Sequence, residues 1–187
     1  MTTLEWQDET RRIATGYMDV DVLTLELGGY KAEISVDEDP MSPREWDNVG
    51  TLWVTSRCPY DLADVKAGDA EEVDEIIESD DYLSLPVYIY DHSGIRLSTS
   101  PFGCQWDSGQ IGWIYAQKGA EGMSDVKILE CLESEIKLMD QYVSGDVYGY
   151  SISDPDGNFV DSCYGFFGID SVKAEAQDAL KAIVGGE

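Results

Sequence analysis

Three stretches of this chain set a pair of alternating apolar runs on either side of a turn-forming sequence, and no other feature narrows the possible folds as much. In VDVLTLEL and YKAEISV roughly every second residue is apolar, and Gly28-Gly29 separates the two runs. Successive side chains of a strand point to opposite faces, so this pattern predicts a hairpin with one buried face. PVYIYDHSGIRLSTS repeats it around Asp91-His92-Ser93-Gly94, and DVYGYSISDPDGNFVDSCYGFFG repeats it around Asp154-Pro155-Asp156-Gly157. Further strands are expected in IGWIYAQK and over residues 51–55, and Pro43 starts a short helical turn in MSPREWDNVGTLWVTSR. Residues 124–143 follow another period. There Leu129, Leu132, Ile136, Met139 and Val143 recur at three- and four-residue steps, with Ser124 to cap the helix and Gly145 to end it. A last helix over residues 171–184 buries Val172, Ala176, Leu180 and Ile183. Hairpins and two or three helices without strand–helix–strand alternation predict an α+β fold on a mainly antiparallel sheet. No linker, repeat or low-complexity stretch appears, so residues 1–187 read as a single domain.

Hydrophobic residues make up 43% of the chain and aromatics 11%, enough to fill a core and too much for a disordered acidic tail. No apolar run approaches the roughly 20 residues of a membrane span, and the opening MTTLEWQDETRR is polar, so a soluble, cytoplasmic protein is expected. Cys58, Cys104, Cys131 and Cys163 are scattered without a CxxC pair, which suits reduced, packed thiols.

The formal net charge is -26, and residues 61–81 hold ten carboxylates against one lysine. Val73, Ile76 and Ile77 give this block one apolar edge, so it reads as a short helix with a charged outer face. A field of this sign repels nucleic acid and attracts proteins with basic surfaces. One explanation is a halophilic surface, on which carboxylates are widespread, lysines few, and salt screens the self-repulsion. The other is mimicry of nucleic acid by a band of carboxylates. Asp61, Asp64, Asp69, Glu71, Glu72, Asp74, Glu75, Glu78, Asp80 and Asp81 would form that band and bind the basic surface of a partner.

The most unusual local sequence is STSPFGCQWDSGQIGW, residues 98–113, which combines proline, three glycines, a cysteine and two tryptophans. A chemical reading makes Cys104 a nucleophile, His92 its base and Asp91 or Asp107 the orienting acid, the constellation of a thiol hydrolase. A strongly negative surface opposes the thiolate unless His92 is close. The structural alternative carries more weight, since free cysteines are more often packed than reactive: Cys104 is a small core residue, His92 a turn residue, and Asp107-Ser108-Gly109 a capped turn. Asp154, Asp156 and Gly157 begin like a calcium loop, but the glycine is fourth rather than sixth and the twelfth residue is Gly165, not glutamate. One histidine and dispersed cysteines leave no zinc set. Neither GxxxxGK[ST] nor GxGxxG occurs, so no cofactor is expected. Tyr142, Tyr148, Tyr150, Tyr164, Phe166 and Phe167 lack the basic groove of a base-stacking platform and read as hairpin core; direct nucleic-acid binding is not expected.

SPREWDNVGTLW, VYIYDHSGIRLSTSPFGCQWDSGQIGWIY and YVSGDVYGYSISDPDGNFVDSCYGFFG together resemble an uncharacterised family of small proteins from phages and other mobile elements. Its members carry a PREWDN-type block, a YDHSG turn, an SPF-C-WDSGQ-G block and a DSC-[WY]-GF block in this order. The resemblance spans residues 42–168 and implies a viral or prophage origin, with no activity to carry over. A small accessory protein made in a host cytoplasm would act by binding a host protein. The acidic block then suggests a DNA-binding or nuclease target, such as a restriction or CRISPR effector. The alternative from another class is an acidic, halophilic-type protein with an enzymatic or ligand site at Cys104, His92 and Asp107.

Overall fold

The computed structural model describes residues 5–12, 19–56, 58–65 and 70–186. In chain order the first elements are strands β1 (Gln7–Arg12), β2 (Asp19–Leu27) and β3 (Tyr30–Val36), a 3-10 turn at Pro43–Glu45, strand β4 (Thr51–Val54) and helix α1 (Ala70–Glu78). Strands β5 (Tyr82–Asp91), β6 (Ile95–Ser98) and β7 (Ser108–Gln117) follow, then helix α2 (Asp125–Ser144), strands β8 (Val147–Ser153) and β9 (Phe159–Phe167), and helix α3 (Ile169–Gly185). This is an α+β fold with antiparallel sheets, as the hairpin pattern predicts. The chain divides into two compact units, Met1–Met41 with Gly145–Glu187, and Ser42–Ser144.

The first unit holds a five-stranded sheet of order β1-β2-β3-β8-β9. β2 and β3 meet in the register Leu25↔Ala32 across a turn where Gly28 and Gly29 have φ of +60° and +86°, a left-handed conformation that only glycine takes without strain. β3 then pairs with β8, setting Ile34 opposite Tyr150 and joining the first and third hairpins in one sheet. α3 lies on this sheet, and Leu25, Ala32, Ile34, Tyr150, Ile152, Val172, Ala176 and Leu180 close the core between them. Tyr148 and Phe166 pack against that core, while Tyr164 is largely exposed. β1 was not expected: QDETRR has no apolar alternation, yet it pairs with β2 at the sheet edge through its backbone.

The second unit holds a four-stranded sheet of order β4-β7-β5-β6, with α2 packed across β5, β6 and β7. Leu52, Val87, Leu97, Ile114, Ile128, Leu132, Ile136 and Met139 form its core. The register steps from Val87↔Gly112 to Tyr88↔Gln110, so Ile111 is an extra residue in β7. Such a bulge bends the strand, here a few residues after the 99–107 loop. A Cβ on Gly112 would lie 2.0 Å from the Trp53 carbonyl oxygen, so this position must be glycine for β4 to pair closely with β7.

α2 buries Ile128, Leu132, Glu135, Ile136 and Met139, whereas Leu129 and Val143 of the expected stripe are only partly covered. The carboxylate on that face has a partner. Arg44 Nη1 donates to Glu135 Oε2 at 2.8 Å, and the Val49 and Gly50 amides donate to Oε1 at 2.8 and 3.1 Å. Arg44 also bonds Asp64 through Nε (2.8 Å) and Nη2, and the Gly50 carbonyl through Nη2 (2.7 Å). Burial lowers the Arg44 pKa, but the hydrogen bonds and charges of Asp64 and Glu135 outweigh it and leave the value raised, so the guanidinium stays charged. The Asn48 amide donates to the Pro43 and Trp46 carbonyls at 2.9 and 2.8 Å, so SPREWDN folds as a self-bonded turn clamped to α2. No helix among the described residues is long and apolar enough to cross a membrane.

Candidate functional site

Of the ten carboxylates in the acidic block, Asp74, Glu75 and Glu78 are exposed on α1, whose buried contact is Val73, with Ile76 and Ile77 half-buried. Asp80 and Asp81 are exposed in the turn that leads into β5, and Asp61 is exposed before α1. None of these six is ion-paired with a lysine or arginine among the described residues. Asp64 has a different environment: it takes the Arg44 guanidinium and the Leu52 amide (2.7 Å), which gives it a structural task. Asp69 lies outside the described residues, and of Glu71 and Glu72 only the helical backbone is described.

The 99–107 loop joins β6 to β7 and is tied at its base. The Asp91 amide donates to the Asp107 carbonyl at 2.8 Å, the Ser100 amide to Ser98 Oγ at 3.0 Å, and Ser108 Oγ to the Cys104 carbonyl. Trp106, the residue before Asp107, is 93% exposed. An open cleft of about 430 Å³ lies alongside, lined by Tyr88, Pro101, Phe102, Gly103, Cys104, Gln105, Ser108 and Gly109. Tyr90 packs against Phe102 with ring centroids 5.8 Å apart, and its ring lies 6.3 Å from that of His92.

Cys104, His92 and Asp107 do come together, in an order that differs from the one a thiol hydrolase needs. Cys104 Sγ donates to Asp107 Oδ2 at 3.4 Å, and His92 Nδ1 lies 3.6 Å from the same oxygen. The carboxylate therefore stands between thiol and imidazole, whereas nucleophilic catalysis needs the imidazole between thiol and carboxylate. Asp91, the other acid considered, accepts from Tyr60 Oη at 2.7 Å, and this hydrogen bond, with burial and the Asp91 charge, raises the Tyr60 pKa. His92 itself is exposed in a turn where Ser93 has φ of +56°.

At residues 154–158 Asp154 Oδ1 accepts the Asp156 and Asn158 amides at 2.9 and 2.8 Å, and Oδ2 accepts Asn158 Nδ2 at 2.9 Å. The Asn158 side-chain and backbone bonds hold the Asp154 pKa below its ordinary value. A self-satisfied turn explains these residues. Among the described residues no three His, Cys, Asp or Glu side chains gather as a metal site.

Two contributors escaped the sequence reading. In the sequence Trp106 stands out only as part of an unusual loop, and its exposure of 93% depends on tertiary packing. Arg44 carried one available signal: a scarce cation in a chain this acidic has many possible partners. No protein-family model, curated protein or solved structure matches this chain.

Proposed function

We propose that this protein is a non-enzymatic binder whose acidic surface docks on a basic face of a partner protein. The observation that carries this reading is the set of exposed carboxylates at Asp61, Asp74, Glu75, Glu78, Asp80 and Asp81, which no described lysine or arginine neutralises. On a surface within a chain of net charge -26, these groups repel one another until a cationic face approaches. A groove that normally takes phosphates fits best, so the partner is a nucleic-acid-handling enzyme. With the phage-like blocks noted above, the setting is a host cytoplasm and the effect is obstruction of a defence enzyme. The test immobilises the protein, captures partners from a bacterial host lysate, and challenges the complex with duplex DNA and with salt. The captured protein should be displaced by DNA and should dissociate steeply as KCl rises. It should not be captured by a variant carrying Asp74→Lys, Glu75→Lys, Glu78→Lys and Asp80→Lys. Undiminished capture by that variant would remove mimicry.

The convergence of Cys104, Asp107 and His92 beside a cleft favours a second reading, a thiol-dependent site. It requires Cys104 to alkylate much faster than an ordinary thiol at neutral pH. An ordinary alkylation rate, with binding intact in Cys104→Ser, eliminates it.

A further inference from the structure

We infer that the cleft beside the 99–107 loop receives a proline-rich segment of a partner protein, packed on Tyr88 and Phe102 and hydrogen-bonded through its carbonyls to Gln105. The inference goes beyond the acidic-binder reading and adds to it an uncharged point of attachment.

No charged residue lines this cleft, although the chain carries a net charge of -26. Its apolar lining is Tyr88, Pro101 and Phe102, and Tyr90 packs on Phe102 with ring centroids 5.8 Å apart. The loop that forms one wall is fastened by the bonds from Ser108 Oγ, the Ser100 amide and the Asp91 amide. The site is therefore largely formed before a ligand arrives, which limits the cost of ordering it. At about 430 Å³ and open to solvent, it suits a stretch of chain passing through better than a ligand enclosed on all sides.

The field of the chain rejects an anionic occupant, and the lining holds no carboxylate to fix a cation inside. A neutral occupant with apolar faces remains. A polyproline II segment is one: it has no internal hydrogen bonds, and its rings dock in aromatic-lined grooves. Proline carries no backbone N–H, so such a segment offers carbonyl acceptors and asks only for donors. Tyr88 and Gln105 bring a hydroxyl and an amide to the lining, and neither side chain has a hydrogen-bond partner among the described residues. A neutral sugar would also pack on aromatic rings, but its hydroxyls need acceptors as well, and the Cys104 carbonyl is already taken by Ser108 Oγ. Basic residues flanking the prolines would lie outside the cleft, in the attractive field of the carboxylates, so the segment is proline-rich with basic flanks.

The test measures fluorescence anisotropy of a labelled peptide of about ten prolines between two arginines, against a peptide of equal length and charge with glycine and serine in place of proline. Wild-type protein should prefer the proline peptide by about tenfold, and the ratio should hold as KCl rises, because the two peptides carry the same charge. Phe102→Ala should bring the peptides to parity. Gln105→Ala and Tyr88→Phe, which change only an exposed amide and a hydroxyl, should each cut the preference about threefold, and they keep the test open if Phe102→Ala does not fold. Equal binding of the two peptides by wild-type protein, or a preference untouched by the Gln105 and Tyr88 variants, overturns the inference. Binding of maltoheptaose instead of the proline peptide overturns it in favour of a sugar. The fourfold lysine variant of α1 and its following turn should weaken both peptides and keep their ratio. If it does so while wild-type protein shows no proline preference, the acidic-binder reading stands alone; if it changes neither peptide while the preference persists and falls in the Gln105 and Tyr88 variants, the α1 surface is wrong and the proline site stands.

Discussion

Arg44 shows how one side chain organises a neighbourhood in a chain with few cations. It binds two carboxylates separated widely in sequence, Asp64 and Glu135, and a backbone carbonyl at Gly50. The side chain is only 9% exposed and Glu135 only 11%, so solvent does little to replace a lost partner. Removing one member of such a group leaves buried charge without compensation, and Arg44→Ala should lower stability by about 3 kcal/mol in urea unfolding. Arg44→Lys should recover only part of that, because an ammonium cannot reach both carboxylates in the same fork geometry. Cys104 presents the opposite case. Its thiol donates to a carboxylate at 3.4 Å, an interaction a hydroxyl also makes, so Cys104→Ser should leave the unfolding midpoint and partner capture close to wild type.

At the scale of elements, turns and close backbone contacts do the specifying. Asp154 closes the β8–β9 hairpin by accepting the Asp156 and Asn158 amides, and its pKa is lowered in the folded protein. A lowered folded pKa contributes stability that is present above the unfolded value and is lost as pH falls through the folded one. Asp154→Ala should therefore lower the urea midpoint at neutral pH, and the difference from wild type should shrink as pH falls well below the ordinary aspartate value of about 4. Gly112→Ala tests the other sheet. Its new methyl would collide with the Trp53 carbonyl, so β4 must move, and a loss of about 2 kcal/mol is expected from calorimetry, with amide exchange quickening first in β4 and β7. The hairpins and both long helices were legible in the sequence because alternation, turn chemistry and helical period are local signals. The polar β1 strand was not, since an edge strand needs only its backbone to pair. The partition into two sheets was also hidden: the β3–β8 pairing joins Ile34 to Tyr150 across more than a hundred residues, and no local pattern encodes such a partner. The 99–107 loop announced itself by composition, but the order thiol, carboxylate, imidazole around Asp107 arises only when β5 and β7 pair.

On the scale of the whole molecule, each unit has its own closed core, while the carboxylates that dominate the charge lie mainly outside those cores. Two apolar cores favour folding at any ionic strength, whereas a net charge of -26 opposes compaction by an amount that salt reduces. The Debye length falls from about 10 Å at 0.1 M to about 3 Å at 1 M, shorter than the spacing of most surface charges. Stability should therefore rise with KCl between these concentrations and then flatten, with the native circular-dichroism spectrum already present at the low end. Binding to a basic partner should move the other way, because the screening that relieves self-repulsion also weakens attraction to the opposite charge. These opposite slopes separate a binder from a surface adapted to brine. A brine-adapted protein would unfold at 0.1 M and regain structure only in molar salt; that outcome, followed by thermal melts across the same series, would remove charge as the basis of partner recognition and leave the 99–107 loop and its cleft to account for function.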